Sequence, residues 1–272
     1  MNGIYGKTAD SRASFEEELR GRLDGKSGPL RFIYYDTVGS TNTEAKLLKK
    51  DGIPTLLVAD GQTGGRGRMG KTFTCPKGMG IYMSLLLYPE MRAEDSPILT
   101  AGAAVAVARA IERTTGVKTQ IKWVNDLYVG GRKLAGILTE GSASPETGML
   151  EYAIIGIGIN VFDSDLGIIS DIATSLEKEG AKDLDRAELI AGIVEEILNQ
   201  IYNQKRETII DEYKSLSMLK SLPIRVTRGG ISKRATALSV NDDLSLSVRY
   251  EDGKEEALLS ADVSVHPEIY DN

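Results

Sequence analysis

The sequence contains few of the residues on which several classes of site depend. Among its 272 residues there is one cysteine, Cys75, and one histidine, His266. A single cysteine excludes an intramolecular disulfide and any zinc or iron–sulfur site built from several cysteines. A single histidine excludes an HExxH metal site, and a Ser–His–Asp triad would have to use a residue near the C-terminal end. We therefore expect both residues to be structural.

The charge balance and the lack of long apolar runs limit the possible location and partners. The chain carries 33 Lys+Arg against 39 Asp+Glu, a formal net charge of −6, which argues against broad non-specific binding of nucleic acid. No apolar run reaches the roughly 18 residues that suit a transmembrane helix. The polar first residues also lack the apolar segment of a signal peptide. The sequence predicts a cytoplasmic protein without a membrane segment.

The spacing of apolar residues predicts an α+β fold with a mixed or antiparallel sheet and flanking helices. Helices do not alternate regularly with strands, and Gly130-Gly131 marks a hairpin turn. Apolar spacing predicts one long helix over 185–214. Four or five short β runs over 223–266 fit a small barrel. We expect an N-terminal extension with a short helix (1–30), a main domain (31–218) and a small β domain (219–272).

A glycine-rich loop, residues 61–72, has the sequence GQTGGRGRMGKT, and its last eight residues fit the Walker A pattern. That motif needs a helix directly after the loop, because the helix N-terminus holds the phosphate. Here Pro76 and two glycines lead into a predicted strand, so a P-loop fold is not favoured. The loop still presents Arg66 and Arg68 between glycines, and two guanidiniums can bind phosphate or carboxylate. The alternative interpretation is a solvated turn with incidental charge.

A second glycine motif, Gly156-Ile157-Gly158, begins like a dinucleotide-binding fingerprint. Val161 stands where the third glycine belongs, and no apolar-periodic helix follows, so a Rossmann fold is excluded. Two interpretations remain open. The glycines mark a bulge or a close packing point in a strand, or they allow a flat ligand to lie against that strand.

A predicted hairpin over 122–140 brings polar side chains together. Asn125 and Asp126 interrupt the first strand, and Lys133 enters the second strand after the diglycine turn. Pairing of the two strands would place Lys133 close to Asn125 and Asp126. A lysine at this position is either a charged residue that protects a sheet edge or a buried functional cation.

Taken together, these segments resemble the biotin–protein ligase family. The resemblance rests on the order and spacing over 31–161 of GSTN (39–42), QTGGRGRMG (62–70), PKG (76–78), YMS (82–84), KWVND (122–126), RKLAGIL (132–138) and GIGIN (156–160). It implies a class II synthetase-like catalytic domain and a small C-terminal SH3-like β-barrel. Val124 departs from the family pattern, which usually has proline there. Residues 1–30 are too few for the winged-helix domain of members that double as repressors, so we expect no DNA-binding domain.

The resemblance also implies a two-step reaction at one site. The carboxylate of biotin attacks the α-phosphate of ATP, and biotinyl-5′-AMP and pyrophosphate form. A lysine of a biotin carboxyl carrier protein or domain then attacks the adenylate and releases AMP. Mg²⁺ is expected to arrive with ATP. The glycine-rich loop is expected to close over the intermediate and exclude water. A homodimer is a further expectation.

Matching residue by residue gives the expected roles. The catalytic residues would be Lys133 and Arg68, which neutralise charge on the α-phosphoryl group, and Asp126, which orients the attacking amine. Biotin would be bound by Ser40, Thr41, Asn42, Gln62, Gly65, Arg66, Gly67, Arg68, Lys133, Gly156 and Gly158. ATP would be bound by Arg66, Arg68, Trp123, Asn125, Lys133 and Asn160. No resident metal site is expected.

Two alternatives remain at this stage. A lipoate or octanoyl ligase or transferase would share the fold, although the HRxxGG-type segment of those families is absent. A P-loop-like regulatory module would bind nucleotide without turnover that depends on biotin.

Overall fold

A seven-stranded mixed sheet forms the centre of the fold. The computed structural model describes residues 9–25, 29–163, 172–259 and 264–267. The strand order is β1-β2-β3-β7-β6-β5-β4, in which β1 and β2 are parallel and the other neighbours are antiparallel. The strands are β1 Arg31–Val38, β2 Thr55–Gln62, β3 Gly80–Leu87, β4 Gln120–Lys122, β5 Asp126–Val129, β6 Arg132–Ala143 and β7 Leu150–Asn160.

Helices cover both faces of this sheet. They are α1 Ala9–Leu23, α2 Thr41–Leu48, α3 Pro97–Thr115, α4 Arg186–Tyr202 and α5 Arg206–Leu216. On β3 the side chains of Met83 and Leu85 belong to the large core under α3, whereas Leu86 packs with Ala45 of α2. Alternate residues of a strand point to opposite faces, so a central strand covered on both sides is largely apolar, as β3 is apart from Ser84. The structure confirms the predicted α+β fold with a mixed sheet.

The prediction of one long helix over 185–214 is wrong, because the chain forms α4 and α5 with a break at residues 203–205. The buried stripe of α4 ends near Ile201. In a continuous helix the next positions on that stripe would be Lys205 and Thr208, which are both polar. The break instead lets Ile209 and Tyr213 of α5 enter the core.

A second, five-stranded sheet follows α5, as the short β runs predicted. Its strands are β8 Pro223–Arg228, β9 Ile231–Val240, β10 Leu246–Tyr250, β11 Glu255–Leu258 and β12 Ser264–Pro267. Their order is β11-β10-β9-β8-β12, with antiparallel neighbours. The β8–β9 turn needs glycine, because Gly229 and Gly230 have φ angles of 55° and 81°. The division of the chain into domains stays a prediction.

Contacts outside the strands join this sheet to the segment that carries KWVND. The indole Nε1 of Trp123 donates a hydrogen bond of 2.9 Å to the carbonyl of Leu244. His266 lies in β12 opposite Arg225, and its side chain is outside the described part of the chain. None of the described helices is both long and apolar enough to cross a membrane.

Candidate active site

A cavity of about 170 Å³ lies between the start of α2, the glycine-rich loop and strands β5 to β7. It collects residues from five separate parts of the sequence. The predicted site residues that line it are Ser40, Thr41, Asn42, Gln62, Arg66, Gly67, Arg68, Trp123, Asn125, Asp126, Lys133, Gly156 and Gly158. Gly65 and Asn160 do not line it. Asn160 donates instead to the carbonyl of Thr174 at 2.9 Å.

One end of the cavity is formed mainly by uncharged polar groups. Thr41 donates its backbone N–H to Gln62 Oε1 at 2.8 Å, which holds the start of α2 against β2. The hydroxyl of Ser84 lies 2.6 Å from Asn42 Oδ1 and 2.7 Å from Thr41 Oγ1. Its single proton can serve only one of these acceptors at a time. The result is a small network of buried hydroxyl and amide groups facing the cavity.

Glycines on β7 make room for two side chains of the site. A Cβ at position 156 would lie 2.1 Å from Asn42 Oδ1, and a Cβ at position 158 would lie 2.7 Å from the ring of Phe73. Both glycines therefore mark places where other groups approach the strand closely. Asn42 and the Phe73 ring rest on bare backbone.

The other end of the cavity holds an ion pair built on the predicted hairpin. β5 and β6 pair, and Lys133 Nζ donates to Asp126 Oδ1 at 2.7 Å. Position 136 is glycine, and a Cβ there would lie 3.2 Å from Lys133 Nζ. Because β6 lies between β5 and β7, Lys133 does not protect a sheet edge. It lines the cavity as a partly buried cation.

The two arginines of the glycine-rich loop point to different ends of the cavity. Arg66 Nη2 lies 3.3 Å from Thr43 Oγ1, beside the polar end. Arg68 Nη1 lies 3.4 Å from Asn125 Oδ1, beside the ion pair. Burial lowers the pKa of Arg68, while Asp126 opposes that shift, and arginine stays protonated in proteins. The loop thus supplies one guanidinium to each end.

The loop folds back on itself, contains one short 3-10 turn at Arg68–Gly70, and runs into β3 without an α-helix. Gly67 N donates to the carbonyl of Lys71 at 2.6 Å, and Phe73 N donates to the carbonyl of Gly65 at 3.0 Å. Residues 71–79 contain no helix. The Walker A match therefore lacks the helix N-terminus that its phosphate-binding chemistry requires.

Two lysines that sequence analysis left without a role also line the cavity, Lys71 and Lys122. Lys122 is only 7% exposed, and its Nζ lies over the Tyr128 ring at 5.4 Å from the ring centre. Burial lowers the pKa of Lys122 to about 8; Lys133 and Lys71 add to this shift, and Asp126 opposes it. The sequence feature that could have identified Lys122 is its position in a short strand, directly before the Trp-Val-Asn-Asp turn.

The charge of the cavity is opposite to that of the whole chain. Its described lining includes five cationic side chains and one carboxylate, Asp126. The cations are Arg66, Arg68, Lys71, Lys122 and Lys133. The chain as a whole has a formal net charge of −6. Such a concentration of positive charge attracts an anionic ligand with more than one charge.

Buried contacts support the segment that carries Trp123 and Asp126 from behind. Tyr213 is fully buried in α5, and its hydroxyl donates to the carbonyl of Val124 at 2.9 Å. Asn125 Nδ2 donates to the carbonyl of Ile137 at 2.6 Å. The peptide bond between Trp123 and Val124 is cis. These contacts hold the turn between β4 and β5 against α5 and β6.

Comparison with known proteins adds independent evidence. Residues 35–160 match the profile of the biotin/lipoate A/B protein ligase family. The chain is 39% identical over 209 residues to the bifunctional ligase/repressor BirA of Bacillus spizizenii, which covers 75% of this chain and 62% of that protein. It is 29% identical over 233 residues to a biotin–[acetyl-CoA-carboxylase] ligase of Mycobacterium tuberculosis, which covers 79% and 82% of the two chains.

A solved structure shares the fold. The biotin protein ligase from Aquifex aeolicus, in complex with biotin and ATP, superposes with a TM-score of 0.71 at 28% identity. The match covers 87% of this chain and 99% of that one. By contrast, the chain spans about three fifths, 62%, of the length of the Bacillus relative.

The close approach at position 156 is testable by adding one methyl group. We expect Gly156→Ala to lower the free energy of unfolding by about 1–3 kcal/mol, because Asn42 must leave its position. Gly21→Ala is the matched control: Gly21 lies in α1 with open space around it, and alanine there should stabilise by about 0.5–1 kcal/mol. Urea unfolding measures both. An unchanged stability in Gly156→Ala would mean that Asn42 does not rest on β7.

Proposed function

We propose that the chain is a biotin–protein ligase, because residues 35–160 match the profile of the biotin/lipoate A/B protein ligase family and its relatives include a ligase/repressor and a biotin–[acetyl-CoA-carboxylase] ligase. It would convert biotin and ATP to biotinyl-5′-AMP and pyrophosphate, and then transfer biotin to a lysine of a biotin carboxyl carrier protein or domain. The observation that carries this proposal is the order of groups along one cavity. Uncharged polar groups with Arg66 beside them lie at one end, and the Phe73 ring lies at the other end with Lys133, whose Nζ is 5.9 Å from the ring centre.

That order follows from the pairing of β6 with β7. Asn42 packs beside the pair Leu138–Gly156, and the Phe73 ring packs beside the pair Gly136–Gly158, two residues further along the strands. Two strand residues span about 7 Å. A ligand with a polar uncharged head, an apolar middle and a carboxylate suits this spacing. Biotin has this form, and its carboxylate would meet Lys133.

In the first step a carboxylate oxygen of biotin attacks the α-phosphorus of ATP. A new P–O bond forms, the bond to the β-phosphate oxygen breaks, and pyrophosphate leaves with the electron pair. The approach of two anions opposes this reaction. Lys133 and Arg68 line the same end of the cavity and would stabilise the charge that develops on the α-phosphoryl oxygens. Asp126, 2.7 Å from Lys133 Nζ, would hold that ammonium in place.

In the second step the ε-amine of the carrier lysine attacks the carbonyl carbon of the adenylate. The new amide bond forms, the bond to the phosphate oxygen breaks, and AMP leaves. The amine also loses a proton, which would pass to water as AMP leaves with the electron pair of the broken bond. Asp126 is the only carboxylate among the described residues that line the cavity, and we propose that it orients the amine. The glycine-rich loop, with Arg66 and Arg68, would cover the intermediate.

Mg²⁺ would enter as part of MgATP. Among the described residues no group of three or more His, Cys, Asp or Glu side chains could hold a metal ion without the substrate, and Mg²⁺ commonly binds through substrate phosphates. Trp123 and Asn125 would contact the nucleotide, as would Asn160 if a bound nucleotide reaches beyond the cavity. The homodimer and the cytoplasmic location stay predictions.

Exchange of pyrophosphate into ATP tests the proposed function directly. We expect exchange to require biotin, because only an adenylate formed reversibly from biotin returns label to ATP. Lipoate and octanoate are tested as alternative acids, since both carry a carboxylate but lack the ureido head of biotin. Exchange without any added acid would show that the chain has another activity. So would exchange that occurs with lipoate or octanoate but not with biotin.

The role of Lys133 can be separated from its contribution to the fold. Lys133→Ala should lower the rate of adenylation by about 10²–10³-fold, because one preorganised charge donor is lost. Lys118→Ala is the control, since that side chain is 82% exposed and outside the cavity. Circular dichroism would verify that both variants fold. Adenylation at the wild-type rate in Lys133→Ala would show that another cation neutralises the α-phosphate.

The low pKa of Lys122 predicts a pH dependence. With a pKa of about 8, Lys122 is charged below that pH and loses its charge as the pH rises above it. We expect kcat/KM for ATP to fall as the pH rises through about 8, because this parameter reports ionisations of the free enzyme. Lys122→Arg keeps the charge and should flatten this fall. Identical profiles for wild type and variant would contradict a role for the charge of Lys122.

A further inference from the structure

Glu140 lies on β6 just outside the cavity, behind its polar end. Its side chain is 22% exposed and contacts three groups. Oε1 accepts from Lys46 Nζ at 2.6 Å, and Oε2 accepts from Asn42 Nδ2 at 2.8 Å. Arg66 Nη2, from the glycine-rich loop, lies 3.4 Å from Oε2. One carboxylate thus connects α2, the loop and the network that faces the cavity.

This carboxylate stays ionised at neutral pH. Burial alone would raise the pKa of Glu140, but the hydrogen bonds from Lys46 and Asn42, with the charges of Lys46 and Arg66, outweigh burial and lower the pKa. An ionised carboxylate only accepts hydrogen bonds. Whichever atom of the Asn42 amide faces Glu140 must therefore be the donor.

The other contacts of Asn42 agree with this orientation. Nδ2 also lies 3.3 Å from the carbonyl of Leu138, so both of its hydrogens face acceptors. Oδ1 lies 2.6 Å from the Ser84 hydroxyl. A flipped amide would place Oδ1 against a carboxylate and a carbonyl, leaving a buried acceptor among acceptors. Asn42 is only 4% exposed, so water cannot relieve that arrangement.

The orientation leaves one acceptor site for a ligand. An amide oxygen has two lone pairs, and the Ser84 hydroxyl uses one of them when its proton points to Oδ1 and not to Thr41. Asn42 and Gly156 both line the cavity, and Oδ1 lies close to where a Cβ of residue 156 would be. The remaining lone pair can accept a hydrogen bond from an N–H group of a bound molecule. A molecule without an N–H donor at this end gains nothing from it.

We propose that Glu140 is a positioning residue that selects for an N–H donor in the bound acid. Its carboxylate holds the Asn42 amide with Oδ1 toward the cavity, where it would accept from the ureido N–H of biotin. Glu140 acts through Asn42 and does not touch the reacting atoms. This inference rests on the proposed function for the identity of the donor, whereas the orientation of Asn42 can be measured without it.

Glu140→Gln tests the inference, because glutamine keeps the shape but removes the charge that excludes the flipped amide. We expect KM for biotin to rise about tenfold, the loss associated with a hydrogen bond supported by a charged group, with kcat and KM for ATP changed by less than about twofold. A general disturbance of the site would change the ATP parameters as well. Equal effects on both substrates would overturn the positioning role.

A double-mutant cycle with Asn42→Ala shows whether Glu140 acts through Asn42. In the Asn42→Ala background, Glu140→Gln should have no further effect on KM for biotin. Lys46→Met is the matched control, because it removes one cation from Glu140 and leaves the bond to Asn42. It should change KM for biotin by less than about twofold. Additive effects in the cycle, or a tenfold effect of Lys46→Met, would contradict the proposal.

A measurement independent of catalysis separates this inference from the proposed function. The side-chain NH₂ resonances of Asn42, assigned with Asn42→Asp, should shift in Glu140→Gln and stay in place in Lys46→Met. An unchanged spectrum in Glu140→Gln would overturn the inference whatever the activity. The two tests can also give different answers. If the wild type shows no biotin-dependent exchange, the proposed function fails. If the Asn42 resonances still shift as expected, the inference about the orientation of Asn42 is kept, and the ligand would be another molecule with an N–H donor.

Discussion

The close approach of side chains to the bare backbone of β7 is the constraint on which the rest of the site depends. Gly156 and Gly158 let Asn42 and Phe73 rest directly on the strand. The polar end and the cationic end then lie two strand residues apart on the same surface. Any side chain at either position would displace the group that now lies there. The order of groups along the cavity is therefore a consequence of two missing Cβ atoms.

Electrostatics gives this surface its chemical character. Five cationic side chains line a cavity in a protein whose formal net charge is −6. Burial lowers the pKa of Lys122, and the neighbouring cations Lys133 and Lys71 add to this shift by repulsion. A polyanion relieves the repulsion by binding. A pKa shifted by burial and by neighbouring charges, in a residue that lines a cavity, is typical of functional sites. The carboxylates Asp126 and Glu140 hold parts of this charge in position.

The polar end differs from the cationic end, because its contribution to ligand binding would come from the direction of its hydrogen bonds more than from charge. Hydroxyl and amide groups there form a network in which the ionised Glu140 determines which atom of Asn42 faces the cavity. Rigid, satisfied networks of this kind present a definite donor and acceptor pattern. The two ends thus divide the work of recognition. In the proposed function, one end would select a hydrogen-bonding pattern, and the other, with Lys133 and Arg68, would attract and neutralise negative charge.

The sequence by itself determined the α+β class and the hairpin that brings Asp126 to Lys133, because local spacing and turn chemistry carry that information. The family resemblance, rather than spacing, pointed to most of the other residues around the cavity. Only the tertiary structure decided the rest. Apolar spacing could not show the break between α4 and α5, since the break depends on how Ile209 and Tyr213 reach the core. Lys122 and Glu140 also stayed without a role, because burial and partners distant in sequence, such as Asn42 with Glu140, set their charge and direction.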